Sequence, residues 1–90
     1  MSAVLITYDL NSPGQKYEKV ITALKSVTGT WCKITESSWI VAGSTTVTRV
    51  YDSLSPFIDG GDRVFVVDIT AQPRQGWLTT EQWDWIKKHV

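Results

Sequence analysis

Two segments near opposite ends of this chain, Ala3 to Asp9 and Arg63 to Thr70, are apolar on both sides when read as strands. Side chains alternate between faces along a strand. Val4, Ile6 and Tyr8 therefore share one face of the first segment, with Ala3 and Leu5 on the other. In the later segment, Phe65, Val67 and Ile69 stand against Val64 and Val66. An antiparallel sheet with one wet face would alternate toward polar residues on that side, and these segments do not. Both faces need cover, and a chain of 90 residues has room for only one core.

What lies between the two segments supplies one layer of that cover. After Asp9, the run Leu10-Asn11-Ser12-Pro13-Gly14-Gln15 predicts a helix start. Ser12 suits the cap, Pro13 the first helical position and Gln15 the partner of a capping box. Tyr17, Val20, Ile21, Leu24 and Val27 then recur at helical spacing as one apolar stripe, which Gly29 ends. Two short strands follow, Trp31 to Glu36 and Ser38 to Gly43, around a tight turn near Ser37. A second helix is expected from Ser44 or Thr45, burying Val47, Val50, Tyr51 and Leu54 and ending at Pro56. Asp59-Gly60-Gly61-Asp62 has the composition of a turn.

The resulting order is strand, helix, strand, strand, helix, strand, the split βαβ pattern. The expected fold is α+β: a ferredoxin-like βαββαβ domain with a four-stranded antiparallel sheet and both helices on one face. Residues 1–90 form one domain, with 1–70 as its core and 71–90 as a tail. In the tail, Gln72 to Gly76 is a loop, Trp77 and Leu78 are the expected anchor, and a short helix starts at Thr79 with Gln82 in the capping-box position. Glu81 and Asp84 lie toward the positive end of its dipole, and Lys87, Lys88 and His89 toward the negative end. Either this tail folds over the second face of its own sheet, or a second copy packs there with the tail helping. An open apolar face marks an interaction surface and favours the homodimer.

Nine basic residues balance nine acidic ones. Phosphate-driven binding to duplex nucleic acid calls for a positive excess, so neutrality argues against general nucleic-acid affinity. Cys32 stands alone and can form no intrachain disulfide, and no Cys/His cluster suits a structural metal. The longest apolar runs are far too short to span a bilayer, and Met1-Ser2-Ala3 leads into a strand with no signal-peptide pattern. These features predict a cytoplasmic protein without membrane contact.

Asp9 is the residue with most chemical promise. A carboxylate at the end of a central strand lies where open α/β sheets present functional groups. With the first strand antiparallel to the last and parallel to the third, Asp9 is expected near Ser44, Gly60, Gly61, Asp62 and Arg63. Asp9 with Asp62 would suit a divalent ion, Mg or Mn, since hard cations take oxygen ligands. The other reading has Asp9 capping loop amides or pairing with Arg63. Tyr8, Asn11 and Arg63 beside it, and Trp85 on the tail, are the candidate binding residues. Asp68 belongs on the order of 15 Å away along the sheet and is expected to accept hydrogen bonds from the tail or a partner. His89, the sole histidine, lies next to the last residue, which leaves little for Ser-His-Asp or Cys-His chemistry.

Five tryptophans, Trp31, Trp39, Trp77, Trp83 and Trp85, would suit base stacking only if basic residues were interleaved. Between Trp31 and Trp39 there is only Lys33. Trp83 and Trp85 are two apart on a helix and cannot share a face, so one is expected to anchor the tail while the other meets a partner.

The stretches Val4 to Leu10 and Glu36 to Val41, with the turn at Gly29, resemble the small CRISPR-associated subunit Cas two and virulence-associated protein D. Tyr8 to Gln15, Ser37 to Trp39, Val66 to Thr70 and Gly76 to Leu78 are more similar still to the short proteins called the SinR family. That resemblance implies a ferredoxin-like dimer, with Asp9 in the place of a metal-ligating aspartate paired with its symmetry mate. The chain departs from the nuclease-like relatives in having Asn11 to Gln15 where they carry several Arg and Lys, and Glu36-Ser37 where they have Gln before a serine. Both departures argue against cleavage of RNA or DNA. The expected function is a small homodimeric, non-catalytic Cas two-like interaction protein with a protein or nucleic-acid partner. The alternatives are a metal-dependent phosphodiesterase using Asp9, and a phage or mobile-element accessory protein acting on a host defence or nucleic-acid enzyme.

Overall fold

A computed structural model describes residues 1–11 and 15–90. The elements run β1 (Ser2–Asp9), α1 (Gln15–Ser26), β2 (Trp31–Thr35), β3 (Ser38–Gly43), α2 (Val47–Leu54), a 3-10 turn (Ser55–Phe57), β4 (Arg63–Asp68) and α3 (Thr80–His89). The fold is α+β and ferredoxin-like. Its one four-stranded sheet has the order β2-β3-β1-β4, with β1 paired antiparallel to both neighbours. The capping arrangement expected of Ser12, Pro13 and the Gln15 side chain lies outside the described residues.

The antiparallel pairing of β1 with β3 corrects the parallel one expected. The crossover through α1 sets β2 parallel to β1, and the β2–β3 hairpin then reverses the chain, so Ser2 faces Gly43 and Thr7 faces Ser38. Ser44 is thus at the opposite end of the sheet from Asp9. The neighbour of Asp9 across β1 and β4 is Arg63, as expected.

One face of the sheet forms the main core. Val4, Ile6 and Tyr8 of β1 and Trp39 and Val41 of β3 pack with Val20 and Leu24 of α1 and Val50 and Leu54 of α2, all buried. Helix α2 begins later than expected, because the Thr46 hydroxyl accepts the Arg49 N–H and sets the cap there. From that start Tyr51 faces outward and is exposed, while Val47 is only partly buried. The helix stops at Leu54, and Pro56 sits inside the following 3-10 turn. Gly29 and Gly43 adopt positive φ, and a Cβ on Gly43 would stand 2.9 Å from the Thr28 side chain. Only glycine allows the end of β3 to pass so close to the α1–β2 loop.

The other face is covered by the chain's own tail. Ala3, Ile40, Ala42 and Ile86 form a second buried cluster, with Leu5, Ile34, Ile69, Leu78, Trp83 and Trp85 packed against it. The α3 helix is set by a full capping box, Thr79 accepting from the Gln82 N–H while the Gln82 side chain accepts from the Thr79 N–H. The Gln82 amide also donates to the carbonyls of Lys33 and Ile34, which fixes α3 over β2. Both Trp83 and Trp85 are partly buried in this layer, rather than one inside and one outside. The anchor is Ile86 with Leu78; Trp77 is 98% exposed and anchors nothing within its own chain.

β4 ends at Asp68, two residues early, because side chains take over the ladder. The Ala3 N–H donates to Thr70 Oγ1, and Asp68 Oδ1 accepts from the Thr70 amide and hydroxyl. Asp68 is therefore bonded locally at the strand end, and the Thr70 hydroxyl and amide hold its carboxyl below the usual range. Phe65, on the α3 side of β4 by alternation, remains 62% exposed.

Candidate functional site

At the end of β1 the chain turns from a buried strand into a polar cluster. The Tyr8 ring is buried against Tyr17, and its hydroxyl accepts the Trp39 Nε1–H at 3.0 Å. Burial raises the Tyr8 pKa, and the hydroxyl donates in turn to the Glu36 carbonyl. Asp9, the next residue, projects from the strand end and is exposed. Together with Thr7, Tyr8, Arg63, Val64 and Phe65 it lines an open cavity of about 320 Å³. Of the sequence candidates, Tyr8, Asp9 and Arg63 are thus brought together. Trp85 lies on α3, stacked on His89 with ring centroids 4.6 Å apart.

Asp62 belongs to a different arrangement. Its Oδ1 accepts the Asn11 backbone N–H at 2.8 Å, and its Oδ2 accepts the Asp59 N–H and the Lys16 ammonium, each at 2.9 Å. Lys16 also reaches Asp59 at 2.7 Å and the Asn11 side-chain oxygen at 3.5 Å. The Asp59 and Asn11 amides, more than Lys16, hold the Asp62 carboxyl down to about 2. The Lys16 ammonium likewise lowers Asp59, and the two aspartates raise Lys16. This cluster closes the turn before β4 onto the start of α1.

The arrangement bears directly on the expected metal pair. Both Asp62 oxygens are occupied, and its charge is already met by Lys16, so it is a poor second ligand for a cation held by Asp9. Among the described residues, no group of three or more His, Cys, Asp or Glu side chains is placed to hold a metal ion. Among those residues the Asp9 carboxylate also accepts no hydrogen bond, either from loop amides or from the Arg63 guanidinium, whose Nη1 instead donates to the Asp62 carbonyl. Lys16 and Asp59 were not visible as partners in the sequence, since they lie 43 positions apart. The only local signal was an aspartate at each end of the Asp59–Asp62 turn.

The tryptophan-rich side is equally structural. Trp39 is buried, and Trp31 meets it edge-on with centroids 5.4 Å apart. The Lys25 ammonium of α1 lies 4.4 Å from the Trp31 ring centre, a cation–π contact across the α1–β2 turn. It lies over one face of that ring. The Cys32 thiol is pushed up by burial, which disfavours the reactive thiolate. No described helix is long and apolar enough to cross a membrane. No protein-family model and no curated protein matches this chain.

Proposed function

We propose that this chain is a non-catalytic, homodimeric interaction protein on a Cas two-like scaffold, with a protein partner in the cytoplasm. The observation that carries the reading is the exposure of Trp77 and Phe65, 98% and 62%, on a domain with a buried core on each face of its sheet. Large aromatics left in water are the residues that dominate the buried centres of protein interfaces. The resemblance to SinR-family proteins and to the Cas two subunit supports the same dimeric reading. A protein partner is favoured over nucleic acid because the net charge is zero and Lys25 already covers Trp31. Sedimentation at micromolar concentration is expected to give a dimer, and a clean monomer would remove the proposal.

One observation favours a second reading, a phosphodiesterase using Mg or Mn. Asp9 is an exposed carboxylate beside Arg63 in an open cavity, so a symmetry mate could complete a metal site across a two-fold axis. Incubation of the purified protein with RNA and DNA in either metal is expected to show no hydrolysis. Asp9→Asn is expected to change stability by less than about 0.5 kcal/mol, as for surface substitutions without partners. Metal-dependent cleavage that disappears in Asp9→Asn would establish the second reading over the first.

A further inference from the structure

The tail leaves an apolar cavity of about 240 Å³ against the sheet, walled chiefly by Leu5, Ile34, Ile40, Ile69, Trp83 and Ile86. Leu78 reaches its wall, and residues 72–75 form its rim. The residue just before Leu78 is Trp77, standing almost wholly in solvent. The loop that borders this apolar seat thus also carries an exposed aromatic side chain. We propose that the two belong together across a dimer axis: Trp77 of each copy seats in the tail cavity of the other.

Size, position and rigidity support this pairing. An apolar cavity of about 150 Å³ holds one benzene ring, so one of about 240 Å³ is of the right order for the two fused rings of an indole. Because Trp77 directly precedes Leu78 on the cavity wall, a two-fold axis beside residues 72–78 forms both contacts at once. The interface is then isologous and closes. The segment is also held in place. The Ala71 N–H donates to the Val90 carbonyl and the Gln72 N–H to the Ile69 carbonyl. A Cβ at Gly76 would stand 3.9 Å from the Trp83 ring, so the loop runs along the cavity wall. These contacts fix the backbone at both ends of the loop, so the seat needs little reordering on binding. Arg74 at the rim supplies a cation for the face of the incoming indole.

This inference rests on the homodimer proposed above and names its contact. The test is sedimentation of the full chain and of Trp77→Ala across a micromolar range, with circular dichroism to confirm the fold. Wild type is expected as a dimer. Trp77→Ala is expected to be folded but to dissociate at least about 30-fold more readily, the effect of a central interface aromatic. Free indole is the second probe: it should shift the methyl resonances of Ile34, Ile40 and Ile69 in Trp77→Ala. A dimer that survives Trp77→Ala unchanged, or indole that leaves those methyls unmoved, would overturn the seating alone. A monomeric wild type would overturn the dimer as well.

Discussion

Asp62 accepts the backbone N–H of Asn11 across 51 positions of sequence, at 2.8 Å, and so ties the exit of β1 to the turn that opens β4. The same carboxylate receives the Asp59 amide and Lys16. Those contacts are stronger with the ionised form, which is why its pKa falls from 3.8 to about 2. A group depressed in the folded state stabilises above its unfolded pKa and ceases to do so as pH falls through the folded one. The relevant window therefore runs from about pH 4, the unfolded value, to about pH 2. Melting temperature measured over that interval should fall more steeply for wild type than for Asp62→Asn, which should be less stable at neutral pH. Parallel curves for the two proteins would show that the cluster contributes no pH-dependent stability.

Tyr8 and Trp39 form a polar pair within the main core, joined at 3.0 Å. Tyr8→Phe keeps the ring packing but leaves the buried indole N–H without its acceptor. An unsatisfied buried donor costs about 1–3 kcal/mol. Urea unfolding should show a lower midpoint by that amount with an unchanged slope. Tyr8→Phe combined with Trp39→Phe loses packing as well, so it separates the donor from the ring. A Tyr8→Phe protein as stable as wild type would mean that water replaces the hydroxyl.

Ile86 is the buried centre of the tail, 5% exposed against Ala3, Ile40 and Ala42. Ile86→Ala should cost about 2–5 kcal/mol, the range for an aliphatic side chain removed from a core. The loss should expose the second sheet face and raise binding of a hydrophobic dye. Truncation before Gly76 should act in the same direction and more strongly. If either protein kept the wild-type melting temperature and bound no dye, α3 would be an appendage rather than a core layer.

The sequence by itself determined the elements and the faces. Period-two alternation in Ala3 to Asp9 assigned Val4, Ile6 and Tyr8 to one layer and Ala3 and Leu5 to another, and both assignments match the observed clusters. Helical spacing located the buried stripe of α1, and the Thr79–Gln82 capping box located the start of α3. These signals are legible because they depend on neighbours within a few residues, through backbone geometry and local hydrogen bonds. Asp9 beside Arg63 was legible too, since it follows from antiparallel pairing of the first and last strands.

Tertiary structure decided which long-range partners meet. The direction of β3 against β1, and hence the removal of Ser44 from the Asp9 end, depends on how the hairpin returns to the sheet. Nothing local pairs Lys16 with Asp59 and Asp62; those contacts need α1 docked before the distant side chains can touch. The tail shows the same division. Its sequence contains three tryptophans and a leucine that could all serve as anchors, and hydrophobicity alone ranks Trp77 among them. Which of them is buried depends on where Thr79 starts the helix and where Gln82 fastens it to β2. With those two points set, Ile86 and Leu78 turn toward the sheet, and Trp77 is left in water because the chain reaches it one residue before the layer begins.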